Sequence, residues 1–127
     1  MAKPRLLVAD NSLFMRTVLK SQLEAMGYDV TTAATAKLSG AQVGSEHQDT
    51  QPDIALIDIT IAEKDDFALV RAARECRHPC AVIVMIPEGP AFPELVVDAV
   101  RAGASGYIKK PVSPQDLGSR INNALRR

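Results

Sequence analysis

Three side chains stand where chemistry is feasible: Asp10, Asp58 and Lys110. Asp58 closes IALID (54–58), an apolar run that reads as a buried strand. A lone carboxylate there is costly unless something pairs with it. Asp10, with Asn11 after it, follows the apolar run RLLVA, and Lys110 follows the run ASGYI. If the strands ending at Asp10 and Asp58 are neighbours, their ends lie about 5 Å apart. Carboxylates that close repel one another and need a cation, either Lys110 or a divalent metal. Oxygen ligands beside water suit Mg²⁺, which keeps several waters and takes one or two carboxylates. A plain alternative uses the same residues: a fixed ion pair that only ties strand ends together.

The elements that must position these groups alternate regularly. Arg5 to Ala9 is a continuous apolar strand, and Ser12 caps a helix with Met15, Leu19, Leu23 and Met26 on one stripe and Gly27 as its stop. Tyr28 to Ala34 alternates and is β-branched, hence strand two; AKLSGAQVGSEHQ follows as a weak helix. Asp53 to Asp58 is strand three. Asp65 or Asp66 caps the next helix through Leu69, Ala73 and Cys76, and Ala81 to Ile86 is strand four. A helix from Glu94 stops at Gly103, Ala104 to Ile108 is strand five, and Ser113-Pro114-Gln115-Asp116 opens a final helix. The expected fold is α/β: a doubly wound, five-stranded parallel sheet with five helices on its two faces. Such sheets bind ligands at the carboxyl ends of their strands, beside the switch in strand order.

Composition excludes several classes. The 127 residues suit one domain spanning 1–127, with 46% apolar and 24% charged residues. Lys+Arg and Asp+Glu balance at 15 each without a basic run, which argues against direct nucleic-acid binding. No apolar stretch suits a signal peptide or a membrane span, so the expected compartment is the cytoplasm. Cys76, His78 and Cys80 lack the second ligand cluster that zinc wants, and read as small apolar thiols.

Asp10 after LLVA, Asp58 after IALI, and GASGYIKKP containing Lys110 together resemble the receiver domain of two-component response regulators. The resemblance implies a flavodoxin-like sheet in order 2-1-3-4-5 and a signalling module rather than an enzyme, with Asp58 accepting a phosphoryl group from a histidine kinase or phosphotransfer protein. It also implies a Mg²⁺ ion held by Asp10, Asp58 and the backbone carbonyl of Thr60, Lys110 on the phosphoryl oxygens, and a cis peptide bond before Pro111. Its usual partner and dimer face comprises the fourth helix, strand five and the fifth helix, giving a downstream effector and a homodimer as expected partners. A flavin carrier on the same architecture would need a Ser/Thr/Gly-rich loop after strand one, and ADNSLFM is not one.

Four departures fall on the site. Asn11 replaces the second of two adjacent acids, so it can coordinate only through its amide oxygen and Mg²⁺ binds weakly. Ile86 replaces a strand-four Ser or Thr, and Pro87 replaces a small residue. Ile61-Ala62 replaces a Met-Pro pair, and Asp66 stands where a glycine is usual. Tyr107 is either the aromatic partner of a switch or a packed ring. The expectation is a phosphorylated receiver with impaired switching; its alternative is a pseudoreceiver that binds proteins without phosphorylation.

Overall fold

The computed structural model describes residues 3–43, 51–76 and 79–126. Its elements are β1 (Arg5–Ala9), α1 (Leu13–Ala25), β2 (Asp29–Ala33), α2 (Ala36–Val43), β3 (Ile54–Asp58) and α3 (Ile59–Lys64). They continue with α4 (Ala68–Glu75), β4 (Ala81–Pro87), α5 (Phe92–Ala102), β5 (Gly106–Lys110) and α6 (Pro114–Leu125). Among the described residues all strand pairs are parallel, as the alternation predicts, and the order is β2-β1-β3-β4-β5, as the resemblance implies.

Strand parity divides the core in two. Ala55, Ile57, Val82, Val84 and Ile86 face helices α2 to α5, whereas Leu56, Ile83, Met85 and Ile108 face α1 and α6. β3 is buried along its whole length, which explains why it lacks the polar alternation of a half-exposed strand. No helix among the described residues is long and apolar enough to cross a membrane.

The caps follow the sequence at both ends. Ser12 accepts from the Met15 N–H at 3.2 Å and Ser113 from the Asp116 N–H at 3.2 Å. Where five helices are expected, the described residues form six. Asp58 is itself an N-cap, and ITIAEK, with neither proline nor glycine, helps α3 begin at once. The cap expected at Asp65 or Asp66 is also absent: α4 starts after Phe67, which has φ 62° and makes no side-chain cap. Strand five lies two residues later than expected. Gly103, at φ 108°, ends α5, and Ala104 and Ser105 complete the turn before Gly106. Lys110 is therefore the last strand residue, opposite Pro87. Residues 44–48 of the second expected helix, and His78, lie outside the described residues.

Candidate functional site

The switch in strand order falls between β1 and β3, and their carboxyl ends carry Asp10 and Asp58. β3 delivers Asp58 at 4% exposure and the turn after β1 delivers Asp10 at 1%. β5 brings Lys110 across to both. Its Nζ donates to Asp10 Oδ2 at 2.8 Å and also to Asp58 Oδ1. Burial alone would lower the Lys110 ammonium, but the hydrogen bonds to Asp10 and Asp58 outweigh it and hold its pKa above the ordinary lysine value. The peptide bond before Pro111 is cis, as the resemblance implies.

The remaining oxygens are engaged as well. Asp10 Oδ1 accepts from the Ser12 N–H at 2.9 Å, and Arg16 Nη1 donates to the Asp10 carbonyl at 2.8 Å. Asp58 Oδ2 accepts from the Thr60 N–H at 3.0 Å and from the Thr60 hydroxyl. Every carboxylate oxygen of the pair thus has at least one internal donor, and the two acids and one ammonium leave one negative charge over.

Asp10, Asp58 and Lys110 therefore meet, with Asn11 exposed beside Asp10. Thr60 meets them differently from expectation. It occupies the first turn of α3, where carbonyls point along the helix axis toward its carboxyl end, away from the capping Asp58. What Thr60 turns toward Asp58 is its N–H and its hydroxyl. That role was legible as an acid ending a strand with a hydroxyl two residues on, an N-cap pattern. Arg16 carried no comparable signal.

A divalent cation does not fit this arrangement as the resemblance implies. Mg²⁺ demands near-octahedral oxygen ligands. Here the two carboxylates already hold Lys110, Asn11 adds no charge, and the Thr60 carbonyl is turned into α3. No group of three or more His, Cys, Asp or Glu side chains able to hold a metal occurs among the described residues.

On the neighbouring rim of β4 and β5, Lys109 Nζ pairs with Glu88 Oε1 at 3.4 Å over packing that is apolar. Ile86 is 0% exposed, in the core layer that Tyr107 also packs against. The Tyr107 and Phe92 rings meet edge to face at 5.8 Å and 74°. Lys109 Nζ sits 4.9 Å from the centre of Phe92, and the Arg120 guanidinium 4.9 Å from that of Tyr107.

The family described as the response regulator receiver domain matches residues 6–122. Chemotaxis protein CheY of Thermotoga maritima is 30% identical over 96% of this chain and 98% of its own length. The crystal structure of a CheY-like receiver domain protein from Methanospirillum hungatei superposes with a TM-score of 0.81 at 30% identity, covering 98% of this chain and 95% of that one. A sensor histidine kinase's receiver domain from Pseudomonas aeruginosa, solved with magnesium in its active-site cleft, gives 0.81 at 19% identity over 99% of this chain and all of that one.

Proposed function

Because the chain belongs to the response regulator receiver domain family, we propose that Asp58 accepts a phosphoryl group from the phosphohistidine of a kinase or phosphotransfer protein. One observation carries this reading: Lys110 bridges Asp58 and Asp10 at the switch point of the sheet.

In the step, an Asp58 carboxylate oxygen forms a bond to phosphorus as the bond to the donor imidazole nitrogen breaks. The electron pair returns to that nitrogen, which leaves as neutral imidazole when its other nitrogen carries a proton. An acyl phosphate remains on Asp58. Lys110 offsets charge on the transferring oxygens as a point charge, and Thr60 holds the orientation of the carboxylate. Mg²⁺ is assigned no step, because its expected ligands are engaged or turned away.

The product is read poorly by the usual route, since Ile86 offers no hydroxyl to a phosphoryl oxygen. The partner face corresponds to α5, β5 and α6, one helix number later than the family's because of α3, and it serves an effector protein or a second copy. The module acts in the cytoplasm and makes no direct contact with nucleic acid. A second reading, a phosphorylation-independent interaction module, draws on the same Ile86.

Intact-mass analysis after incubation with phosphoramidate, on the wild type and Asp58→Asn, tests the reading. One phosphoryl group on the wild type and none on the variant is expected. An adduct that persists in the variant refutes the assignment, and no adduct on either favours the second reading.

A further inference from the structure

The start of α3 decides the cation chemistry of this rim. In a helix capped by Asp58, the N–H groups of the first turn face the cap and the carbonyls face away. Thr60 accordingly presents two donors, N–H and hydroxyl, to Asp58 Oδ2. A divalent cation beside Asp58 would need acceptors from that segment, and it meets donors.

This helical start is built in. Ile59, Ile61 and Ala62 are 2%, 4% and 0% exposed, so the first turn is anchored in the core. Ala62 is the fourth residue of α3, whose N–H bonds back to the Asp58 carbonyl in regular α-geometry. A proline at that position would lack this N–H and its ring would clash with the same carbonyl. ITIAEK has no proline, and the helix runs up to the carboxylate.

The charges point the same way. Lys110 already spans Asp10 Oδ2 and Asp58 Oδ1. With Asn11 neutral, only one negative charge is left to hold a dication, and that dication must sit beside an ammonium or expel it. We infer that Lys110 is the resident cation of this site, that Mg²⁺ at millimolar concentration does not occupy it, and that Asp58 reacts without a divalent metal. Only the last clause rests on the acceptor reading.

The experiment is a titration of the whole chain with Mg²⁺ to about 10 mM, following backbone amide shifts of Asp10 to Ser12 and Ile59 to Ile61 with no phosphodonor present. Wild type should show no saturable shift there. Asn11→Asp combined with Ala62→Pro restores the charge and opens the first turn, and should saturate in the low millimolar range. Asn11→Asp alone should bind at least about tenfold more weakly than the pair. If circular dichroism shows the proline variant unfolded, Ala62→Gly takes its place, with a smaller gain expected. Saturable binding by wild type equal to that of the double variant overturns the inference. Phosphoramidate labelling with Mg²⁺ and with excess EDTA then tests the last clause. Equal adduct supports it, and adduct only with Mg²⁺ overturns it. No adduct in either buffer refutes the acceptor reading, while the titration still judges the metal.

Discussion

The rim at the ends of β1 and β3, which Lys110 joins from the end of β5, and the remaining rim of β4 and β5 around Ile86 and Tyr107 are adjacent but opposite in kind. The first is a closed polar network, in which Asp10, Asp58, Thr60 and Lys110 satisfy one another. The second packs hydrocarbon and aromatic side chains beneath the exposed Lys109–Glu88 ion pair, with Ile86 fully buried and Tyr107 held between Phe92 and Arg120. A ligand shifts a conformational equilibrium only through contacts that differ between its states. The first rim has groups that a phosphoryl group can engage; the second has no strand-four hydroxyl to report the event. On the proposed reading, accepting charge and relaying it are separable properties of this fold, assigned to side chains on different strands.

Breaking the first rim should have the largest effect. Lys110→Met leaves Asp10 and Asp58 facing each other, buried and without a cation, and should cost about 3–5 kcal/mol in urea unfolding. Adding Asp58→Asn to Lys110→Met should recover much of that loss, because the remaining carboxylate no longer has a charged neighbour. A loss below about 1 kcal/mol for Lys110→Met would mean that the network is a loose surface pair.

The second rim gives the next largest effect. Ile86→Thr should cost about 2 kcal/mol, through lost methylene burial and a hydroxyl placed in the core. The same change should make Tyr107 and α5 respond to modification of Asp58. Destabilisation without a gained response would show that the hydroxyl alone does not join the two rims.

The parts of this comparison legible in sequence are those that the sheet itself enforces. Asp10, Asp58 and Lys110 follow apolar runs, and a doubly wound sheet gathers strand ends beside its switch point. Ser12 and Ser113 were legible as caps because their hydroxyls serve nearby N–H groups. The helix α3 and the donor role of Thr60 were missed, because Asp58 ends a strand and also caps a helix that begins at the next residue. Strand five was displaced by two residues because the turn after Gly103 takes up Ala104 and Ser105 through bonds to Ala99 and Val82. The cap of α4 was misassigned because Phe67, buried to 8% exposure, packs its ring into the core from a left-handed backbone.

Two controls lie outside both rims and sharpen the contrast. Asp66 adopts φ 56°, a conformation that glycine enters freely. Asp66→Gly should therefore raise stability by about 1 kcal/mol and leave the yield of adduct on Asp58 unchanged. A fall in adduct would tie the α3–α4 turn to the chemistry.

Cys80, near the amino end of β4, gives the smallest effect near neutral pH. Burial, then the neighbouring Cys76, pushes its thiol up to about 12. The folded chain thus keeps a proton that the unfolded chain releases from about pH 8.5. Stability should fall as pH rises from there toward about 12, relative to Cys80→Ala. At lower pH the thiol should resist maleimide until the chain is unfolded. Rapid labelling of native Cys80, read by peptide mapping, would contradict that burial.

On the proposed reading, this domain takes up a phosphoryl group without relaying it through β4 and β5. The most direct test of that reading is an amide chemical-shift map of the wild-type chain before and after phosphoramidate labelling, with the adduct verified by mass. Large shifts are expected at Asp10 to Ser12, Asp58 to Ile61 and Lys110, and little change across Phe92–Ala102 or at Tyr107. Large shifts across α5 and Tyr107 would contradict that reading, and would show that the signal crosses this fold by a route that needs no strand-four hydroxyl.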